Sequence, residues 1–129
     1  YPQSKYVYDA YEKAARYYQS LEDTKNEVRV LEEFTTKFPD DPGALNGYAW
    51  RMSELQKNLD DALIKVRHAV ELLSADPDYQ ANIIDTEAEI LWRLGRNDEA
   101  VAAIEKAITI DPDSQYFKDQ KAKFLGQTS

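Results

Sequence analysis

The sequence predicts an all-α chain built as a stack of helical hairpins, and three observations predict it. Apolar residues recur at steps of three and four along almost the whole length. The runs are joined by connections of a few residues such as "EDT", "PDD" and "GRN". The pattern also returns with a period in the mid-thirties, the mark of a solenoid.

The spacing predicts helices near 3–21, 24–37, 42–56, 60–73, 79–94, 98–109 and 114–125. In the first run Val7, Tyr11, Ala14, Tyr18 and Leu21 share a face; in the second Val28, Leu31, Phe34 and Phe38 do. Pro39 and Pro112 close helical runs, while Pro42 and Pro77 follow acidic turn formers. Short links force antiparallel neighbours, so the first six helices pair into three hairpins. Ala15, Ala49 and Ala88 fall mid-way through the three first helices. In the last helix, Tyr116, Phe117, Phe124 and Leu125 are expected to face the stack. Lys118, Asp119, Gln120, Lys121 and Lys123 are expected to face water, as in a capping helix. Tyr6, Tyr8, Tyr11, Tyr17 and Tyr18 crowd more than one side of the first helix. Tyr6 and Tyr17 are therefore read as an edge for an upstream domain or for self-association.

Composition removes several function classes. With 129 residues the chain suits one domain, and because it opens on Tyr1 it is read as a piece of a larger protein. It holds no cysteine, which excludes disulfides, thiol nucleophiles and sulfur-ligated metals and leaves the compartment open. A net charge of −8 repels phosphate backbones and anionic lipid heads, so neither nucleic acid nor a membrane is an expected partner. No phosphate loop, metal cluster or nucleophile motif occurs, so no catalytic residue, cofactor or metal is assigned. The single histidine, His68 in "KVRHAVELL", lacks a sequence partner for base catalysis.

The stretch "ANIIDTEAEILWRLGRNDEAVAAIEKAITIDP" carries a specific resemblance. Ala88 supplies a small residue in mid-helix, Leu91 a large one, Gly95 a turn, Ala100 and Ala107 two small places about Ile104, and Pro112 a break. This hairpin resembles a tetratricopeptide repeat. Repeats are placed at about 8–41, 42–80 and 81–114, with a cap at about 114–125. The implied fold is a right-handed α–α superhelix of three helical hairpins plus a C-terminal capping helix. The first hairpin departs from the pattern, because Glu27 and Phe34 replace its two small residues, and its helices should be splayed. The second carries an extra residue in "LQKN" and about three in "LSADPDY", predicting a looser joint before the third.

The resemblance implies a concave wall lined by the first helix of each hairpin, where a peptide or partner segment binds. The candidate wall residues are Glu12 and Arg16; Asn46, Trp50 and Ser53; and Asn82, Asp85, Glu89, Trp92 and Arg93. Asp9, Lys13, Glu54 and Thr86 adjoin them. Large aromatics carry much interface energy, so Trp50 and Trp92 are the anchors, although Trp92 also suits packing beside the glycine turn. Asp85 and Glu89 lie four apart, with Arg93 four further on to neutralise them. A carboxylate clamp for acidic C-terminal tails is not expected, since Glu12, Arg16, Gly47, Asn82 and Thr86 occupy its places. The reading is thus a non-enzymatic protein-interaction module. The run from "NGYAWRM" to "YFKDQKAKF" also resembles helical-repeat tails that follow thioredoxin-like domains in some bacterial proteins. It thereby offers the alternative of an accessory domain docked through the tyrosine edge.

Overall fold

The computed structural model describes residues 3–127. Among these the regular elements are seven helices: α1 (Gln3–Ser20), α2 (Thr24–Lys37), α3 (Pro42–Leu55), α4 (Leu59–Leu72), α5 (Pro77–Arg93), α6 (Asn97–Ile110) and α7 (Gln115–Phe124). Helices α1–α2, α3–α4 and α5–α6 pair as hairpins, and α7 lies on α6.

The starts of α2, α3 and α5 are set by aspartate side chains. Asp41 and Asp76 accept from the amides of Ala44 and Tyr79, and Pro42 and Pro77 follow at once in the first turn. A proline there costs nothing, because the first amides of a helix have no internal partner. This moves the start of α5 back from 79 to Pro77. Instead of loosening the joint, the last three residues of the longer connection "LSADPDY" become the first turn of α5. Gln80 Nε2 donates to the Val70 carbonyl at 2.9 Å, and α5 packs on both α3 and α4.

All three hairpins reverse the chain in the same way. Glu22, Gln56 and Gly95 follow the first helices with φ of 57°, 54° and 79°. In each case the next amide closes on a carbonyl five residues back: Asp23 on Tyr18, Lys57 on Met52, and Arg96 on Leu91. Glycine adopts this left-handed conformation freely, whereas a Cβ makes it costly. Replacing Gln56 with glycine is therefore expected to stabilise the protein by ~0.5–1 kcal/mol, visible as a higher melting temperature. An unchanged or lower temperature would contradict this reading of the turn.

Small residues bring the helix axes together. Ala49, Ala62, Ala69, Ala88, Ala100 and Ala107 are all 0% exposed and belong to one continuous core. Tyr48 is buried between α3 and α4, where its hydroxyl donates to Asp61 Oδ2 at 2.7 Å and Lys65 Nζ lies 4.2 Å from its ring centroid. Burial alone would raise the Asp61 carboxyl, but the Tyr48 and Lys65 contacts outweigh it and hold it below its usual range.

The first hairpin is assembled differently. Phe34 fills its seam with an aromatic cluster, 4.8 Å from Tyr8 edge-on, 5.4 Å from Tyr11 stacked and 5.7 Å from Phe38. Helix α3 packs directly along α5, yet α1 has no comparable seam on α3. Two polar ties span this joint instead. Tyr8 donates to Asp41 Oδ2 at 2.8 Å, and a Cβ on neighbouring Gly43 would lie 2.7 Å from the Tyr8 hydroxyl. The second tie is an ion pair: Arg51 Nε and Nη2 donate to the two carboxylate oxygens of Glu27 at 2.6 and 3.0 Å, with Glu27 buried. Where Glu27 and Phe34 stand in place of small residues, the structure thus has an aromatic wedge and a bidentate ion pair.

Candidate functional site

Relative to Ala15, Ala49 and Ala88, the pairs Glu12/Arg16, Asn46/Trp50 and Asp85/Glu89 occupy the same two places on α1, α3 and α5, three before and one after the alanine. This shared register puts each pair on the same flank of its helix. Their surroundings differ strongly along the stack. On α1, Glu12 is half-buried and Arg16 exposed. On α3, Asn46 and Trp50 are half-buried, and Asn46 Oδ1 is buried without a hydrogen-bond partner. Ser53, expected on the open wall, is instead buried, its hydroxyl turned back to the Trp50 carbonyl at 2.6 Å. Of the wall residues on α5 only Asn82 is exposed, while Arg93 and Trp92 are half-buried.

Asp85 and Glu89 are not open wall residues, because α7 covers them. Gln120 Nε2 donates to Asp85 Oδ1 at 2.9 Å and to Glu89 Oε1 at 3.0 Å, and Lys123 Nζ donates to the same Glu89 oxygen at 2.7 Å. Arg93 Nε completes the set on Glu89 Oε2 at 3.0 Å, as its spacing predicted. Trp92 packs 5.9 Å from Phe124, with Lys123 Nζ 4.5 Å and Arg93 5.2 Å from its ring. Its packing role is thereby met by the cap. Gln120 and Lys123 therefore face the stack, whereas Leu125, expected inward, is exposed, and Tyr116 leaves half its surface in water while its hydroxyl donates to Asp85. Two buried acidic side chains on one flank need donors above them, and Gln120, Lys123 and the Tyr116 hydroxyl supply them.

The two carboxylates are perturbed in opposite directions. Burial pushes Asp85 above its usual range, with Glu89 adding to the rise, and the hydrogen bonds from Gln120 and Tyr116 only partly offset it. Burial would raise Glu89 too, but Lys123, Gln120 and Arg93 outweigh it and hold Glu89 below its usual range. A raised folded pKa means the Asp85 contribution is present below the ordinary value of 3.8 and is lost as pH rises through the folded one. The Glu89 contribution is present above 4.5 and is lost as pH falls through its lowered value. Asp85→Asn keeps an acceptor for Gln120 and should raise the melting temperature at neutral pH, with no gain below pH 3.8. Glu89→Gln should cost about 1–2 kcal/mol at neutral pH, discounted because Lys123 is partly exposed, and less in acid. Thermal melts across pH that gave both variants the same sign at neutrality would refute this assignment.

Elsewhere His68 Nε2 lies 2.7 Å from Asp40 Oδ1 at the surface, joining α4 to the loop before α3. Among the described residues no group of three or more His, Cys, Asp or Glu is placed to hold a metal ion, and no helix is long and apolar enough to cross a membrane.

A family model for the tetratricopeptide repeat matches residues 85–114. Residues 85–114 form a tetratricopeptide repeat. Solved structures extend the likeness across the chain. An O-GlcNAc transferase variant from Thermobaculum terrenum superposes with a TM-score of 0.77 at 19% identity, covering 100% of this chain and 24% of the other. The chain therefore spans about a quarter of that enzyme's length. The TPR2B domain of yeast Sti1, solved in a pHsp70 complex, gives 0.75 at 16% identity, covering 94% of this chain and 98% of that one. MamA of AMB-1 gives 0.68 at 18% identity, covering 88% and 66%. At these identities the likeness is one of fold: an all-α tetratricopeptide solenoid. No curated protein matches in sequence.

The cap's polar contacts and the Glu27–Arg51 pair had no local signal in the sequence. Their partners lie 31–35 and 24 residues apart, far beyond the three- and four-residue steps that pattern reading uses.

Proposed function

We propose that the protein is a non-enzymatic interaction module that binds a peptide or partner segment against the wall of α1 and α3. The observation that carries this reading is at α3. Asn46 Oδ1 is a buried acceptor without a partner, one helical turn from the half-exposed indole of Trp50. Buried acceptors are normally satisfied, and an incoming peptide N–H would satisfy this one while a side chain stacks on the indole. Glu12, Arg16 and Asn82 flank the place with mixed charge and stay accessible. Asp85 and Glu89 are spent on the cap, so they do not contribute. The net charge of −8 favours polar or basic ligands here and disfavours nucleic acid and anionic membranes. A neighbour of the same fold, the TPR2B domain of yeast Sti1 in a pHsp70 complex, supports a protein ligand.

The test is calorimetry with peptides selected on the protein by display. Trp50→Ala should weaken binding at least tenfold, and Asn46→Ala should weaken it as well. Affinity unchanged in both would remove the wall as the site.

A second reading rests on the other end of the stack. Tyr6, Tyr17 and Leu21 on and just beyond α1 are 60%, 59% and 57% exposed, an apolar edge suited to an adjoining domain, including a thioredoxin-like one, or to a second copy. Sedimentation at rising concentration separates self-association from docking to another domain.

A further inference from the structure

A large groove lies away from the wall just described. A groove of about 1140 Å³ runs along α2, with Tyr11 on α1 at one side and the α3–α4 turn at the other. Its apolar surface comes from Tyr11, Val28 and Leu55, each half-buried. Its length follows that of α2, a helix of 14 residues and about 20 Å whose two end residues, Thr24 and Lys37, both lie in the lining. That volume exceeds a typical small-molecule site and suits the apolar face of a short helix.

Charge decides what kind of helix. The chain carries −8, yet four cations line this groove against two carboxylates, Glu32 and Glu33. Arg29 is already engaged with Glu33 at 3.1 Å. Lys25, Lys37 and Lys57 are exposed and have no carboxylate within ion-pair distance among the described residues. Lys25 and Lys37 lie at opposite ends of α2, and Lys57 belongs to the lengthened turn of the second hairpin. An anionic polypeptide approaching an acidic protein therefore meets unpaired lysines at both ends of an apolar trough.

We propose that this groove is a second docking site, and that its occupant is an acidic amphipathic helix of a partner protein. The apolar stripe of that helix lies on Tyr11, Val28 and Leu55, and its carboxylates pair with Lys25, Lys37 and Lys57. The site is distinct from the Asn46/Trp50 wall in position and opposite to it in charge preference, so one chain can hold two different partners at once.

The experiment uses three labelled 18-residue probes in fluorescence anisotropy: a helix with leucines on one face and glutamates elsewhere, its lysine counterpart, and a scrambled glutamate version with no apolar face. The glutamate helix is expected to bind at least tenfold more tightly than either control, and more weakly as salt rises. The triple variant Lys25→Glu/Lys37→Glu/Lys57→Glu should lose at least tenfold of that affinity. Because all three lysines are exposed, circular dichroism should show it folded. Val28→Asp tests the apolar floor, and Trp50→Ala should bind the probe as the unaltered protein does. Binding lost in Trp50→Ala but kept in the triple variant would overturn the proposal and place acidic ligands on the wall. Equal affinity for the lysine helix, or no binding of the glutamate helix, would overturn it too.

Discussion

Phe34→Ala is expected to destabilise the protein by ~3–5 kcal/mol, the range for removing a buried aromatic side chain. The expectation runs against the repeat pattern, in which Phe34 stands where the third hairpin has Ala107. Read from the pattern alone, alanine at 34 restores a regular hairpin. In the structure Phe34 is 5% exposed, and Tyr8, Tyr11 and Phe38 are all built around its ring. Truncation leaves a cavity that α1 cannot close, because its remaining ties lie on the Tyr8–Asp41 bond rather than on a seam with α3. The reciprocal change, Ala107→Phe, must also destabilise, since Ala107 is 0% exposed and sits where two helices touch. Urea titration followed by circular dichroism measures both. A Phe34→Ala variant as stable as the unaltered protein would mean that the hairpin repacks to the regular form.

Arg51→Ala is expected to cost ~3 kcal/mol, because it leaves the buried Glu27 carboxylate without its two donors. Glu27→Ala should cost less. Arg51 is partly exposed and retains Glu54 at 3.3 Å, so its charge is never stranded. The double variant should be more stable than the sum of the two losses predicts, which a double-mutant cycle reads directly. Strict additivity would show that the pair does not act as a unit. The two residues join α2 to α3 at the joint where α1 and α3 make little contact, so the loss should fall on docking of the first hairpin.

How much of this was legible beforehand varies along the chain. All seven helices were legible from apolar spacing, and their boundaries shifted by no more than about one turn. The largest shift is at Pro77, where an Asp-Pro pair read as part of a turn instead caps and opens the helix two residues early. The third hairpin was legible in detail because its small residues, glycine turn and proline break all agree, and the family model matches 85–114 within it. The turns at Glu22 and Gln56 were not, since neither residue announces the left-handed conformation that each adopts. The candidate wall was legible as a register on α1, α3 and α5. Which of its members stay accessible was not.

Sequence by itself determined the helices, their pairing and the small-residue contacts, because these depend on steps of three and four and on short connections that allow only antiparallel neighbours. Tertiary structure alone decided that α7 turns Gln120 and Lys123 onto Asp85 and Glu89, that Glu27 is paired with Arg51, and that a cationic groove opens along α2. The reason is physical. A buried charge must be satisfied wherever a donor can reach it, and the donors that reach these carboxylates come from helices brought alongside only when the stack closes.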